Sequence, residues 1–342
     1  MKTIDSTPLS VLDLVTYPQG GSIPAALALS RELARRAEAL GYHRFWLAEH
    51  HNLEGIASSA TVVLMAYIAA QTTTIRVGSG GIMLPNHAPL VVAEQIGTLE
   101  SLFPGRIDLG LGRAPGTDPL TLRALRRHAA AGAEDFDVQV AELLSYLAPA
   151  EDGQRVKAIP GEGIEVPVWI LGSSLYSAHF AAAAGRPYAF ASHFAPDDLM
   201  EALAVYRREF RPSKALTAPY VMVGVPALAA ETDAQAELLA TTMYQRSLGI
   251  LRGKRMALLP PVEDMDAIWS EPERLAVAAR MALFVVGGRE RVRDGLRQIV
   301  EATGADELIV VSDAYAPEDR IRSFEILIEA ARGAAGRAAK AP

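Results

Sequence analysis

An acidic side chain and two imidazoles stand side by side where an apolar run of the sequence ends. The run Phe45-Trp46-Leu47-Ala48 is followed directly by Glu49, His50 and His51. Carboxylates and imidazoles bind metal ions, and an imidazole also transfers protons near neutral pH. Two kinds of site are therefore open: a metal site, or one histidine that faces a bound organic cofactor while the other two residues hold the loop.

The spacing of these histidines bears on the metal hypothesis. Side chains alternate between the two faces of a strand, so two adjacent histidines cannot both face the same site. A metal bound by His50 would need His87 or His193 as well, and the chain has no cysteine to complete the ligand set. A cofactor site is therefore favoured over a metal site, and Glu49 and His51 are expected to form a hydrogen-bonded pair.

A second group of residues suits an anion. An apolar run ends in Gly172-Ser173-Ser174, and an alanine-rich helical stretch that includes Ser177 follows. The first N–H groups of a helix lack partners within it and favour negative charge, so this segment could hold a phosphate. Ser173 or Ser174 could instead simply cap the helix. Arg113, which follows another apolar run, adds a guanidinium that can bind phosphate oxygens.

Two glycine-rich stretches allow more than one interpretation. Residues 77–85 (VGSGGIMLP) place three glycines in a strand pattern, which indicates either a bend or a close approach to a flat ligand. Residues 110–116 (GLGRAPG) superficially resemble a dinucleotide-binding fingerprint. The third glycine has the wrong spacing, and Pro115 would disturb the start of the required helix, so that interpretation is not favoured.

Eight short apolar runs must position these groups. They alternate with amphipathic helical stretches, which is typical of parallel βα units. The predicted strands are residues 9–14, 44–48, 75–79, 106–111, 168–171, 188–191, 220–226 and 308–311. The pattern favours an α/β protein with a single (β/α)8 TIM barrel and insertions over a doubly wound sheet, which would usually form two domains. Active sites of such barrels lie at the carboxyl ends of the strands, which all the groups above follow.

Composition limits the remaining functions. The chain has 342 residues, half of them apolar, no cysteine and a formal net charge of −7. No window is apolar enough to span a membrane, and no leader pattern stands at the N-terminus, so a cytoplasmic location is expected. The basic stretch 123–128 fits one helix face without aromatic residues, so nucleic-acid binding is not expected.

Four stretches together resemble the bacterial luciferase-like family of flavin-dependent monooxygenases. They are FWLAEHH, VGSGGIMLPNHAP, FPGRIDLGLGRAPG and PVWILGSS, and they occur in the family's order and at its spacing. The resemblance covers most of the chain and is strongest before residue 130. Within the family, the chain is most similar to the luciferase-like group one oxidoreductases rather than to the light-emitting enzymes.

The resemblance implies a TIM barrel that binds reduced FMN at the strand ends. His50 matches a histidine beside the flavin that serves as catalytic base or hydrogen-bond partner. Ser79-Gly80-Gly81 matches the segment in which the family has a non-proline cis peptide against the flavin ring, and Arg113 matches a phosphate-binding position. The cofactor-binding residues expected are Ala48, Ser79, Gly80, Gly81, Arg113, Gly172, Ser173, Ser174 and Ser177.

Two positions depart from the family pattern. Gly112 stands where luciferases carry a reactive cysteine, which argues against light emission. A second phosphate-directed arginine is replaced near Phe136, so one fewer arginine is expected at the phosphate.

The function implied is an FMN-dependent monooxygenase that uses reduced FMN and O2 to oxidise a small organic substrate. An NAD(P)H:flavin reductase would supply the reduced flavin, and a homodimer is expected through the helices beside the second and third strands. F420-dependent hydride transfer is the alternative within the fold. A His/carboxylate metal-dependent barrel hydrolase and a flavin-binding protein without turnover are alternatives of other classes.

The barrel is expected to span residues 1–332 as one domain. Residues 244–272, rich in Met, Pro and Arg, are our candidate for an insertion that covers the substrate, with Met256, Met265 and Trp269. Packing or contact within an oligomer is the alternative for that segment. Residues 333–342 are expected to form a flexible tail.

Overall fold

The computed structural model describes residues 2–114, 116–125 and 135–332. Part of the predicted basic stretch and the whole predicted tail lie outside the described residues. The strands in the described ranges are β1 (Leu9–Asp13), β2 (Arg44–Leu47), β3 (Arg76–Ser79), β4 (Ile82–Met83), β5 (Ile107–Gly112), β6 (Val168–Gly172), β7 (Tyr188–Phe190), β8 (Val221–Ala229), β9 (Val285–Gly287) and β10 (Glu307–Val311).

Eight of these strands form a closed parallel barrel. Around the barrel the order is β1, β2, β3, β5, β6, β7, β8 and β10, and β10 pairs with both β8 and β1. These are the eight predicted strands, so the prediction of a (β/α)8 TIM barrel is confirmed and the doubly wound alternative is wrong. Such strands are covered on both faces, and they therefore read as nearly continuous apolar runs in the sequence.

Two short strands were not predicted. Strand β4 pairs with β5, and β9 pairs with residues 227–229 at the end of β8. Strand β8 therefore continues past its predicted end at Pro226. Runs of two or three residues carry too little periodicity to be distinguished from loops.

Helices cover the outside of the barrel. In the described residues they are α1 (Ile23–Leu40), α2 (Thr61–Ala69), α3 (Pro89–Leu102), α4 (Pro119–Ala124), α5 (Phe136–Leu147), α6 (Leu175–Ala183), α7 (Leu199–Glu209), α8 (Asp233–Leu251), α9 (Glu271–Arg280), α10 (Arg289–Thr303) and α11 (Pro317–Arg332). Helix α1 begins where Ser22 accepts a hydrogen bond from the Ala25 N–H, and it ends at Gly41, whose φ is 76°. Serine at the start of a helix and glycine just past its end are the residue types preferred at these positions. Within the described ranges, no helix has the length and apolar character that a membrane span requires.

The predicted insertion at 244–272 begins later than expected. Residues 244–251 belong to α8, because Ser247 and Leu248 continue its buried face at helical spacing. Helix α9 already starts at Glu271, so the irregular part of this segment is residues 252–270.

Aromatic rings and an ion cluster fill the barrel interior. Trp169 packs edge to face against Trp46, with 5.2 Å between the ring centroids. At the amino end of β2, the Arg44 guanidinium lies 2.7 Å from an Asp108 oxygen and 3.0 Å from a Glu307 oxygen. This cluster lies at the amino ends of the strands, which is the end of such a barrel that contributes to stability. The carboxyl ends of the strands, on the opposite side, are where such barrels bind ligands.

Candidate active site

A cavity with a volume of about 510 Å³ lies at the carboxyl ends of the barrel strands. This volume is within the range of small-molecule and cofactor sites. Apart from Ser79, every residue predicted to act on or bind a cofactor lines the cavity. These lining residues are Ala48, His50, Gly80, Gly81, Arg113, Gly172, Ser173, Ser174 and Ser177.

His50 presents an uncharged imidazole to the cavity at pH 7. Burial and the Arg246 guanidinium disfavour its charged form and lower the pKa of His50 to about 4, although the Gly116 backbone and Glu49 act in the opposite direction. The pKa of His193 is also lowered to about 4, by burial first and then by His50 and Arg246. Two neutral imidazoles therefore line the cavity, and each can donate or accept a hydrogen bond.

Glu49 lies behind the cavity wall and joins two loops. Its carboxylate is 2.9 Å from Nε2 of both His51 and His87, and it accepts a hydrogen bond from the Met83 N–H at 3.0 Å. Burial raises the pKa of Glu49, but the hydrogen bonds from His51 and His87 outweigh it and hold the pKa at about 2. The carboxylate is thus ionised and both imidazoles donate to it. The expected pairing of Glu49 with His51 is present in the structure.

The wall beside Gly80 and Gly81 has no room for side chains. A Cβ atom on Gly80 would lie 2.5 Å from Leu12 Cδ1, and one on Gly81 would lie 2.8 Å from the Gly110 oxygen. The Gly80–Gly81 peptide bond is cis, as the family resemblance implied. Ser79 lies behind this wall, because its buried hydroxyl donates to the Gly110 oxygen at 2.8 Å. Ser79 therefore ties the end of β3 to β5 and does not itself line the cavity.

The segment Gly172-Ser173-Ser174 leads into α6. Ser174 occupies the N-cap position, but its hydroxyl accepts no hydrogen bond from the helix. The Ser177 hydroxyl donates to the Ser174 carbonyl at 2.7 Å and lies 2.9 Å from the Tyr188 hydroxyl. Ser177 therefore holds this turn together, whereas the hydroxyls of Ser173 and Ser174 are not used as helix caps.

Arg113 lies beside the first turn of α6. Its guanidinium carbon is 3.9 Å from the centroid of the Tyr176 ring, and Tyr176 is the second residue of the helix. The ring supports the cation without neutralising it. In the part of the chain that the structure describes, this guanidinium has no acidic partner. A guanidinium next to the unpaired N–H groups of a helix start is an arrangement that binds anions.

Five polar residues of the cavity were not predicted as site residues. His193 follows β7, Asp313 follows β10, Arg246 and Ser247 lie on α8, and Arg280 is the last residue of α9. His193 stands at a strand end, but the helical residues belong to no motif. The signal for them is a spacing of three and four residues, which puts one face of α8 on the cavity. The residues of that face are Met243, Arg246, Ser247 and Ile250.

Arg246 is anchored by an ion pair. Its Nη1 atom lies 2.6 Å from Asp313 Oδ2, and the other Asp313 oxygen accepts a hydrogen bond from Thr16 at 2.7 Å. Arg320 lies 3.2 Å from the same carboxylate. Burial raises the pKa of Asp313, but Arg320 and Arg246 reverse the effect and keep it below the usual value. Asp313 is therefore an ionised carboxylate at the cavity wall, and both of its oxygens already have partners.

The two departures from the family pattern lie in different surroundings. Gly112 lines the cavity, where a Cβ atom would lie 2.8 Å from the Met83 sulfur. Phe136 is buried and packs edge to face on Phe180, with 5.5 Å between the ring centroids. Phe136 therefore belongs to the core of the barrel and not to the cavity wall.

The residues proposed to cover the substrate lie elsewhere than expected. Met265 is buried, and Trp269 packs on Tyr244 with 5.9 Å between the ring centroids. The cavity is covered from this side by α8 and by Arg280 and Met281 at the end of α9. Met265 and Trp269 thus fit the packing alternative, and Met256 lies near Gly249 of α8 without lining the cavity.

The histidines do not converge on a metal site. His87 and His51 both bind Glu49, while His50 and His193 face the cavity. Among the described residues, no group of three or more His, Cys, Asp or Glu side chains could hold a metal ion. The arrangement therefore gives the metal-dependent hydrolase alternative no support.

Comparison with known proteins identifies the class to which this barrel belongs. The family model of luciferase-like monooxygenases matches residues 9–307. The protein YvbT of Bacillus subtilis (strain 168) is 56% identical over 324 residues, which are 94% of this chain and 96% of that protein. A luciferase-like monooxygenase of Escherichia coli (strain K12) is 50% identical over 320 residues, 94% of this chain and 96% of that protein. The chain belongs to the luciferase-like monooxygenase family, and it is therefore an oxidoreductase.

One more distant relative has a defined activity in its name. The N-acetyl-S-alkylcysteine monooxygenase of B. subtilis is 30% identical over 327 residues, 94% of this chain and 97% of that protein. The crystal structure of apo-MsnO8 has a TM-score of 0.87 and 38% identity, and the match covers 95% of this chain and 98% of that chain.

Two solved structures below 25% identity share the fold. The oxygenating constituent of 3,6-diketocamphane monooxygenase from Pseudomonas putida, in complex with FMN, has a TM-score of 0.71 and 18% identity, and the match covers 95% of this chain and 97% of that chain. An F420-dependent secondary alcohol dehydrogenase has a TM-score of 0.71 and 15% identity, and the match covers 96% of this chain and 100% of that chain.

Proposed function

We propose that the protein is a monooxygenase that binds reduced FMN in the cavity and uses O2 to oxidise a small organic substrate. The observation that carries the proposal is the Arg113 guanidinium, held over Tyr176 beside Ser173 and Ser174. A guanidinium, free hydroxyls and a helix start together suit the phosphate of FMN. The FMN complex of diketocamphane monooxygenase, which has the same fold, supports this assignment.

The wall beside Gly80 and Gly81 suits the flavin ring. The ring system is flat, and side chains on these two residues would collide with Leu12 and with the Gly110 backbone. Glycine here therefore leaves a smooth surface on which a flat ligand can lie. Ala48, with its small side chain, lines the same cavity.

His50 is the residue that we propose acts on the reacting atoms. Bound reduced FMN would supply the electrons that activate O2. A neutral imidazole nitrogen of His50 can accept a proton or hold one in a hydrogen bond to a reacting oxygen. The apolar inner wall, with Leu12, Trp46 and Ile309, would exclude water from the reaction.

The substrate and the partners follow from the same proposal. The name of the B. subtilis N-acetyl-S-alkylcysteine monooxygenase supports a small organic substrate. An NAD(P)H:flavin reductase would supply the reduced FMN.

We also propose a homodimer through α2 and α3, because exposed apolar side chains stand on both helices. They include Val63 (67% exposed), Val91 (44%) and Leu102 (62%).

Titration of the purified protein with FMN, reduced FMN and F420 tests the proposal. We expect reduced FMN to bind most tightly, and Arg113→Ala to weaken its binding by about 10- to 100-fold, as for the loss of charge-assisted hydrogen bonds. Riboflavin, which lacks the phosphate, should bind wild type and Arg113→Ala equally. Arg35→Ala is the matched control, since Arg35 is exposed on α1, outside the cavity.

Other results would assign a different function. Preferential binding of F420, with no turnover that depends on O2, would favour hydride transfer of the kind that the F420-dependent dehydrogenase performs. Flavin binding without any turnover would indicate a storage protein. Absence of flavin binding together with one bound metal ion per chain would overturn the proposal.

A further inference from the structure

The charged side chains that line the cavity have a net positive charge. The charged side chains that line it are Arg113, Arg246, Arg280 and Asp313. Asp313 already binds Arg246 at 2.6 Å and Arg320 at 3.2 Å, so it has no remaining capacity for a further cation. Within the described residues, Arg113 and Arg280 are thus left without an acidic partner, although the chain as a whole has a formal net charge of −7.

Arg280 repeats the arrangement of Arg113. Its guanidinium carbon lies 5.2 Å from the centroid of the Phe194 ring, and it has no acidic partner in the described part of the chain. The aromatic contact orients the cation and leaves its charge and N–H groups for a ligand. Arg113 suits the phosphate of the cofactor, so the second cation calls for a second anionic group.

Two buried polar atoms on the same wall also have no hydrogen-bond partner among the described residues. Ser247 is 6% exposed, and its hydroxyl oxygen has no hydrogen bond. His193 Nδ1 is likewise buried and unpartnered. Buried polar atoms are almost always hydrogen-bonded, so these two groups point to a polar ligand. His193 adjoins Phe194, which supports Arg280, and α8 with Ser247 packs against α9 with Arg280.

We propose that the substrate is an organic carboxylate and that Arg280, assisted by Ser247 and His193, binds its carboxylate group. One guanidinium on the same cavity wall as a neutral hydroxyl and a neutral imidazole matches a single negative charge. A planar carboxylate can accept two parallel hydrogen bonds from a guanidinium. Met243, Ile250 and Met281 supply an apolar surface for the rest of the substrate. This inference rests on the proposed function and names the class of substrate for that same site.

Matched pairs of charged and uncharged ligands test this assignment. The probes are 3-(methylthio)propanoate, N-acetyl-S-methylcysteine and phenylacetate, each compared with its methyl ester, and binding to the FMN-loaded protein is followed by flavin absorbance and by calorimetry. We expect at least one carboxylate to bind about tenfold more tightly than its ester, as for one charge-assisted contact. Arg280→Gln should abolish this preference without changing the affinity for the ester.

Further variants distinguish a specific loss of carboxylate binding from a general disturbance of the protein structure. Arg280→Lys keeps the charge without the planar fork and should restore part of the preference. Ser247→Ala should weaken carboxylate binding by about threefold to tenfold, as for one neutral hydrogen bond. Arg274→Gln is the matched control, because Arg274 lies on α9 but outside the cavity, paired with Glu271.

Three results would overturn the inference, and they differ in what they mean for the proposed function. If no carboxylate binds more tightly than its ester, the substrate class is wrong. If Arg280→Gln weakens binding of FMN but not of riboflavin, Arg280 serves the cofactor phosphate, and the proposed function stands. If wild-type protein fails to bind FMN, the proposed function and this inference both fail.

Discussion

The guanidinium of Arg113 lies over the ring of Tyr176, 3.9 Å from its centroid, and so stands beside the first turn of α6. Arg113 follows β5 and Tyr176 follows β6, so two neighbouring strands of the barrel fix the two side chains. The proposed phosphate site therefore depends on a contact between side chains as well as on the helix start.

Replacement of Tyr176 should weaken FMN binding without removing a group that touches the phosphate. Tyr176→Leu removes the ring that orients Arg113, and we expect a loss of about 3- to 30-fold in FMN affinity, the range for a cation–π contact. Tyr176→Phe keeps the ring and should retain the affinity. Fluorescence titration measures both variants, and equal affinities of the Leu and Phe variants would contradict the role of the ring.

Glu49 should stabilise the fold in a pH-dependent manner. Glu49→Gln removes the charge that accepts hydrogen bonds from His51, His87 and Met83, and we expect a loss of about 2 kcal/mol in the free energy of unfolding. The pKa of Glu49 in the folded protein is about 2, below the ordinary value of 4.5. Its stabilisation is therefore present above pH 4.5 and is lost as the pH falls towards 2.

Urea unfolding of wild type and Glu49→Gln at several pH values measures this difference. The gap between the two proteins should be constant near neutral pH and close in acid. Glu209→Gln is the control, because Glu209 also contacts a histidine, His179, but on the exposed surface. A constant gap down to pH 2 would contradict the low pKa of Glu49.

The imidazole of His50 should titrate well below the ordinary range for histidine. We expect its NMR resonance, identified by its absence in His50→Gln, to shift near pH 4 rather than near 6.5. Arg246→Gln should raise the pKa of His50, because the variant removes a positive charge close to the imidazole. An unchanged midpoint in Arg246→Gln would mean that Arg246 does not contribute to the low pKa of His50.

Charge on the exposed face of α2 should separate the proposed homodimer. Val63→Glu places a carboxylate where the apolar side chain is 67% exposed, and burying that charge in an interface would be costly. Light scattering after gel filtration should give the mass of two chains for wild type and of one chain for Val63→Glu. Leu275→Glu, on exposed α9, should remain a dimer. A monomeric wild type would contradict the proposal.

The sequence predicts those parts of the fold that have a strong periodic pattern. The barrel strands are short, buried and mostly apolar runs, and α1 has recognisable caps at Ser22 and Gly41. Strands β4 and β9 are too short for periodicity, and only pairing with β5 and β8 makes them strands. The end of α8 was missed because its buried residues continue without a break into a Met- and Pro-rich stretch.

The residues that line the cavity likewise divide into those that the sequence predicts and those that it does not. Most cavity residues that directly follow strands could be predicted, because the barrel brings strand ends together, although His193 and Asp313 were missed. Arg246, Ser247 and Arg280 face the cavity from helices, and their spacing alone does not reveal which side of a helix meets a ligand. Ser79 shows the opposite error, because its position at a strand end suited a ligand but its hydroxyl is used by Gly110.

The order of these residues along the chain has a consequence for how the enzyme could diversify. All residues predicted to bind the cofactor precede residue 178, whereas α8 and the end of α9 supply Met243, Ser247, Ile250 and Arg280 from the last third of the chain. Substitution or recombination within that last third could therefore alter which molecule is oxidised while the proposed FMN site stays intact. Within such a lineage, one inherited cofactor site could serve many successive substrates.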